Sequence, residues 1–109
     1  MTITYKVLGQ INPTANTLTT LYTVPSANSS VISTIVVCNQ SSVATTFRLA
    51  VQPGNATIVS KHYINYDTPL PANDTITATL GITLAATDVI SANVGSATVS
   101  VSAFGSEIY

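Results

Sequence analysis

Apolar and polar side chains alternate along this chain with a period of two residues, and no segment shows the 3.6-residue period of a helix. The strongest segment is Val31–Asn39, in which β-branched residues dominate and both faces are largely apolar. A strict period of two places Ile32 on one face and Ile35 on the other. A strand with two apolar faces needs neighbours on both sides and cover above and below. We therefore predict that Val31–Asn39 is the central strand of a β-sandwich.

Further strands are predicted on both sides of this segment, separated by Gly, Pro, Asn and Ser turn signals. Thr45–Gln52 alternates most regularly, with Phe47, Leu49 and Val51 expected to face the core. The other predicted strands are Ile3–Leu8, Leu18–Val24, Thr57–Tyr66, Ile76–Leu80, Val89–Val94 and Ala97–Phe104, the last two as a closing hairpin around Gly95 and Ser96.

Three connecting segments limit the alternatives. Gly9–Asn16 is expected to be a loop, and Thr68–Asp74 cannot be a central strand because two prolines interrupt it. Ile82–Asp88 fits either a short strand or a single helical turn. About eight short strands without a helix predict one all-β domain over residues 1–109, an antiparallel β-sandwich of jelly-roll type.

Composition makes this chain unusually neutral. Apolar residues make up 46% of its 109 residues, and charged residues only 6%, where a typical soluble domain has roughly a quarter. The formal net charge is −1, which leaves little electrostatic repulsion between copies. We therefore expect a subunit of an assembly rather than a free monomer.

The same composition excludes several partners. Three basic residues, Lys6, Arg48 and Lys61, cannot build the cationic patch that nucleic acid requires. No run approaches the ~20 apolar residues of a membrane span, and the N-terminus lacks the apolar core of a signal peptide. We predict no nucleic-acid or membrane partner, and synthesis in a cytosol. The single cysteine, Cys38, forms no internal disulfide and is expected to be a buried small hydrophobe.

Catalytic chemistry is not evident in the sequence. His62 has no second His or Cys at ligand spacing, so we expect a partly buried, hydrogen-bonded strand residue. Asp74 and Asp88 are expected to bond nearby backbone amides in turns. With no phosphate loop and no activated serine, we predict no catalytic, cofactor-binding or metal-binding residue. An enzyme is the third reading, which a polar cleft with a strongly perturbed carboxylate would favour.

Tyrosines carry most of the aromatic area, and tyrosine favours interfaces because it joins an apolar body to a polar tip. We expect at least two of them to contact other subunits; the alternative is half-buried packing at the edges of the sandwich. The candidates are Tyr5, Tyr22, Tyr63, Tyr66 and Tyr109.

Strand-and-turn patterns across nearly the whole chain carry a resemblance to a known class. They are Lys6–Gln10, Leu21–Pro25, Val31–Asn39, Thr46–Val51, Pro69–Asp74, Leu80–Ile90 and Ala103–Ile108. In these segments the chain resembles small virion structural proteins of tailed bacteriophages, cyanophages most closely. The resemblance implies a β-sandwich present in many copies, and it brings no catalytic residues with it.

Two functions follow from this resemblance as expectations. The first is a capsid cement, or decoration, protein in the virion, made in the host cytoplasm, that forms a homo-oligomer, most plausibly a trimer, and bridges major capsid protein subunits. Unpaired sheet edges and neutral surfaces favour such association. The alternative is a tail, baseplate or fibre component whose sandwich binds a host glycan through a tyrosine pair near Asn65 or Asp67.

Overall fold

The computed structural model describes all 109 residues, which form two antiparallel sheets packed against each other. The strands are β1 (Ile3–Ile11), β2 (Thr19–Thr23), β3 (Ser29–Asn39), β4 (Thr45–Gln52), β5 (Tyr63–Leu70), β6 (Thr75–Ala78), β7 (Ile82–Leu84), β8 (Val89–Val94) and β9 (Val99–Ile108). Two 3-10 turns, Pro53–Asn55 and Ser60–His62, lie between β4 and β5. Sheet A has the order β1-β9-β3-β6, with β7 also paired to β3, and sheet B the order β2-β8-β4-β5.

The pairing of the strands is that of one long hairpin rolled into two layers. Strand β4 pairs with β5, β3 with β6 and β7, β2 with β8, and β1 with β9, all antiparallel. A ribbon of this kind that is divided between two sheets is a jelly roll. The predicted jelly-roll sandwich is therefore confirmed. Strand β7 continues the path of β6 along β3, which gives nine strands where about eight were expected.

The core lies between the two sheets and is built mainly from β-branched and aromatic side chains. Phe47 and Leu49 of β4 face inward as predicted and are 2% and 0% exposed. Val51 packs against the same cluster and is partly buried. Burying one large apolar side chain contributes roughly 1.5–3 kcal/mol, so the alternation in β4 fixes which face of that strand meets sheet A.

Strand β3 is central, as predicted, because it pairs with β9 on one side and with β6 and β7 on the other. The predicted division of its two faces was wrong. A β-bulge between Ile32 and Thr34 inserts one extra residue, so Ile32 faces the core together with Ile35 and Val37, each 1% exposed. An extra residue reverses the side-chain alternation of the strand beyond it.

Two glycines allow backbones to approach each other closely. A Cβ on Gly105 of β9 would lie 2.0 Å from the Val31 carbonyl oxygen, and one on Gly9 of β1 would lie 2.1 Å from the Leu21 carbonyl oxygen. No side chain fits at such distances without movement of the backbone. Gly9 thereby lets β1 of sheet A lie against β2 of sheet B along one side of the sandwich.

The predicted closing hairpin is wrong. Strand β8 belongs to sheet B and β9 to sheet A, and the segment between them carries the chain across the sandwich. The Gly95 amide donates to the Thr46 carbonyl oxygen at 2.9 Å, so Gly95 stays with sheet B instead of turning the chain back on β8. Local turn chemistry at Gly95 and Ser96 does not distinguish a hairpin from a crossing between sheets.

Several strand boundaries also differ from the prediction; β9, for example, ends at Ile108 and not at Phe104. Strand β1 continues to Ile11 through a bulge at Leu8, where a loop was expected from Gly9 onward. Strand β5 begins only at Tyr63 because the preceding residues form a 3-10 turn. It ends at Leu70 and includes Pro69, which the sheet tolerates because β5 is an edge strand. The segment Ile82–Leu84 adopts the strand alternative.

Candidate functional site

The outer surface of sheet A carries no charged side chain. Cross-strand register and exposure identify the residues that point away from the core on its five strands, and all are at least partly exposed. We call this surface the uncharged face. Its residues are Ile3, Tyr5, Val7 and Gln10 of β1; Ser100, Ser102, Phe104, Ser106 and Ile108 of β9; Ser29, Val31, Ser33, Thr34, Val36 and Cys38 of β3; and Thr75, Thr77 and Thr83 of β6 and β7.

The charged side chains carried by the strands of this face, Lys6 and Glu107, lie on the opposite side of sheet A. Lys6 lies in register with Gly105, on the side of sheet A that faces sheet B, and its Nζ lies 3.2 Å from Glu107 Oε1. Arg48 and Asp67 lie on sheet B and pair with each other. The neutrality of the uncharged face therefore reflects where the few charges are placed as well as how few there are.

Apolar side chains concentrate at one end of the uncharged face. Tyr5 is 82% exposed and Val7 48%, an unusual exposure for such side chains. Together with Val31 and Phe104 they line an open groove of about 550 Å³. Lys6, which is paired with Glu107, is the one charged residue in the lining, so a partner that covered this groove would remove mainly apolar surface from water.

The uncharged face is large enough for a specific interface. Four strand positions about 4.8 Å apart and the length of β3 at about 3.4 Å per residue give it an area of roughly 700 Å². Strand β3 has 11 residues, which makes it the longest strand of the sheet. A standard protein–protein interface buries about 800 Å² on each partner. The face alone thus accounts for most of one such interface.

Strand β1 adds an unpaired edge next to this face. It is nine residues long and pairs only with β9. The other edges are less open, because β6 and β7 have four and three residues, β2 has five residues and a bulge, and β5 contains a bulge and Pro69. Short, bulged or proline-containing edges resist pairing with other chains, whereas a longer edge offers unpaired backbone groups.

A second polar feature is buried between the sheets at the same end of β1. The Tyr22 hydroxyl donates to Glu107 Oε2 at 2.5 Å and lies 2.7 Å from Ser30 Oγ. Burial and the adjacent carboxylate raise the pKa of Tyr22 to about 12. The hydrogen bond from Tyr22, with a further one from Lys6, lowers the pKa of Glu107. Each polar group of this cluster has a partner, so we assign it a structural role.

On the outer surface of sheet B, one arginine joins an acid and an aromatic ring. Arg48 Nε and Nη2 donate to the two carboxylate oxygens of Asp67 at 2.7 and 3.2 Å. These bonds lower the pKa of Asp67 and raise that of Arg48. The guanidinium carbon lies 3.9 Å from the centre of the Tyr66 ring, and Tyr63 meets that ring edge-on at 5.0 Å between centroids.

The five candidate tyrosines lie in three different environments. Tyr5 stands out from the uncharged face, whereas Tyr63 is half-buried and Tyr66 is 59% exposed on sheet B. Tyr109 is 56% exposed, and its hydroxyl lies 3.3 Å from a threonine hydroxyl of β1. Tyr22 is only 7% exposed, so it cannot contact another subunit and its selection as an interface residue was wrong.

Other residues singled out in the sequence have structural positions. Asp74 and Asp88 accept hydrogen bonds from nearby backbone amides, as predicted. His62 is buried, and its Nδ1 accepts the Val59 amide at 3.1 Å, but it lies in a 3-10 turn and not mid-strand. Cys38 is half-exposed on the uncharged face, so the expectation of a buried thiol was wrong. No group of three or more His, Cys, Asp or Glu side chains is placed to hold a metal ion.

Comparison with protein-family models, curated proteins and solved structures finds no match for this chain. None of its helices has the length and apolar character needed to cross a membrane. Function must therefore be argued from the surfaces described above. The sequence signalled Tyr5 by residue type, whereas Phe104 and Val31 were not recognised as surface residues because their strands also supply the core.

Proposed function

We propose that this chain is a structural protein of a tailed-phage virion, a capsid cement protein that oligomerises, with a trimer as the proposed state, and bridges major capsid protein subunits. The observation that carries the proposal is the uncharged face, an area of roughly 700 Å² on a jelly-roll sheet with Tyr5 and Phe104 at one end. The resemblance to small virion proteins supports a place in the virion, and the uncharged face supports attachment to other protein subunits.

Attachment through a neutral face has a physical consequence for assembly. The one charged side chain that lines the groove, Lys6, is already paired with Glu107, so copies meeting through this face experience little like-charge repulsion. The contact should therefore depend only weakly on salt. Many such contacts on one particle act together, because a copy held at two points rebinds one contact before the other is lost. A cement protein needs this slow release more than high affinity at any single contact.

The surface test compares matched lysine substitutions on the two sheets. Tyr5→Lys and Val36→Lys each place a charge on the uncharged face, whereas Thr20→Lys places the same charge on the exposed surface of sheet B. Sedimentation velocity of the purified protein should give an oligomer for the unmodified chain and Thr20→Lys, and a shift toward monomer for the two face variants. A monomer at all concentrations for the unmodified chain would contradict self-association.

The particle test addresses the capsid. In purified virions that contain this chain, electron microscopy should place it on the outside of the head, between major capsid subunits. Heads stripped of the protein should rupture at a lower temperature than intact heads, and adding back the purified protein should restore the difference. Density on the tail, or stripped heads as heat-resistant as intact ones, would exclude the cement role.

A further inference from the structure

A polar cleft of about 250 Å³ lies on the outer surface of sheet B, on the opposite side of the sandwich from the uncharged face. Its floor consists of Thr46 and Arg48 of β4 and Asn93 of β8, which lies opposite Arg48 in the register. Asn16 forms one wall and Asp67 the other. The cleft is therefore bounded by three strands and the loop before β2.

A backbone hydrogen bond holds one wall in place, and the Arg48 side chain holds the other. Asn16 has a φ of 58° and donates its amide to the Val94 carbonyl oxygen at 2.7 Å. Asp67 has a φ of 50° at an irregularity of β5 and is fixed by its two bonds from Arg48. Asn and Asp tolerate this left-handed conformation better than most residues. The cleft is thus already formed in the structure, with the Arg48–Asp67 ion pair fixing one of its walls.

The side chains that line the cleft have unused hydrogen-bonding capacity. Asn16, Thr46 and Asn93 make no side-chain hydrogen bond within the protein, and Arg48 uses Nε and Nη2 on Asp67. Two carboxamides and a hydroxyl can each donate and accept, and the guanidinium adds a donor. A ligand with several hydroxyl groups on one small ring matches this set.

Charge selects among the possible ligands. The positive charge of Arg48 is balanced by Asp67, and the remaining lining residues are neutral. An anion such as phosphate would meet the Asp67 carboxylate beside its only cationic partner, so a neutral ligand is favoured. The size is also selective, because about 250 Å³ falls below the ~300 Å³ at which pockets for drug-sized ligands begin.

Tyr66 lies next to this cleft and packs against both Arg48 and Tyr63. The sequence suggested that a tyrosine pair near Asn65 or Asp67 binds a glycan; in the structure the Arg48 guanidinium lies over one face of the Tyr66 ring, and Tyr63 packs edge-on against the same ring. The pair therefore supports Arg48 beside the cleft, and together with Ser60 it lines a separate open pocket.

We propose that this cleft binds a single neutral sugar residue, as the end group of a glycan. The inference is independent of the uncharged face, which lies on the other sheet, so it holds or fails separately from the cement role. On a particle that carries many copies, weak individual sites would add up to firm attachment.

The experiment titrates the isotopically labelled full chain with methyl glycosides of glucose, galactose, mannose and N-acetylglucosamine, and follows backbone amide signals by NMR. We expect saturable shifts of Asn16, Thr46 and Gly95 with at least one glycoside at millimolar concentration. Asn93→Ala should raise the dissociation constant about tenfold or more, because the carboxamide supplies two hydrogen bonds. Gln40→Ala removes an exposed carboxamide that does not line the cleft and that donates to Ser100 of sheet A, so it should leave binding unchanged.

Three outcomes would overturn the proposal. One is the absence of saturable shifts at the cleft with any of the four glycosides. Another is binding that Asn93→Ala leaves intact, which would place the sugar elsewhere. The last is a stronger response of the cleft to inorganic phosphate than to every glycoside, which would show that Arg48 acts as an anion site. Sedimentation of the same samples reports on the uncharged face, so failure of one proposal can be told from failure of the other.

Discussion

Replacement of Tyr22 by Phe removes one hydroxyl group from the buried cluster and leaves the aromatic ring in the core. In the intact protein this hydroxyl donates to Glu107 Oε2 at 2.5 Å and lies 2.7 Å from Ser30 Oγ. Glu107 and Ser30 are 7% and 1% exposed, so solvent cannot easily replace the lost partner. The carboxylate keeps one hydrogen bond, from Lys6 at 3.2 Å.

The expected cost follows from these contacts. A hydrogen bond to a charged group contributes about 1.5–3 kcal/mol, and a buried group left without its partner costs about 1–3 kcal/mol. The two bonds share one hydroxyl, so we expect Tyr22→Phe to lower the free energy of unfolding by about 2–4 kcal/mol. That is a large part of the ~5–15 kcal/mol that stabilises a typical domain.

Urea unfolding followed by far-ultraviolet circular dichroism measures this cost. Tyr66→Phe is the matched control: its hydroxyl makes no hydrogen bond within the protein and its side chain is 59% exposed, so a change within about 0.5 kcal/mol is expected. The cost of Tyr22→Phe should shrink in acid, because protonation of Glu107 removes the charged acceptor. Equal effects of the two substitutions, or a cost independent of pH, would refute the role assigned to the cluster.

Three further predictions concern the same fold. The pKa of Tyr22 is raised to about 12, so its contribution to stability is complete below the ordinary value near 10 and should be lost as the pH rises from 10 to 12. The pKa of Glu107 is lowered, so a second loss of stability should occur as acid protonates it. Unfolding free energies that stay constant with pH in both ranges would contradict these assignments. Gly105→Ala should abolish folding or yield insoluble protein on expression, because its Cβ would lie 2.0 Å from the Val31 carbonyl oxygen, and a soluble variant with an unchanged melting temperature would contradict that geometry. Asn39→Ala should lower the unfolding free energy by about 3 kcal/mol, because this side chain is 1% exposed and makes four hydrogen bonds. Its partners are Ser41, Val43, Pro71 and Thr98. A loss below about 1 kcal/mol would mean that water replaces these bonds.

The alternation of side chains predicted the fold class and most strands because each face of a sheet keeps its polarity over several residues. It identified Phe47 and Leu49 as core residues. It could not predict the bulge between Ile32 and Thr34, because a bulge depends on the pairing with the neighbouring strand. Here that strand is β9, and its residue opposite Ile32, Gly105, is more than 70 positions away in the chain. Long-range pairing therefore decided what the local pattern left open.

The candidate sites were less predictable. Composition indicated a neutral surface, but only the register of β1, β3 and β9 shows that the neutral residues share one face. Residue type suggested Tyr22 as readily as Tyr5, although one lies in the core and the other in solvent. The cleft beside Arg48 joins residues from four separate segments, among which Asn16 and Asn93 were seen in the sequence only as loop and strand residues.

The most direct test of the proposed mode of action is the mass of the purified protein in solution as a function of concentration, measured by sedimentation for the unmodified chain, Tyr5→Lys and Thr20→Lys. Association through the uncharged face predicts an oligomer that Tyr5→Lys dissociates and Thr20→Lys does not, with little dependence on salt. An oligomer equally tolerant of both substitutions would contradict it, because the copies would then meet through some other surface.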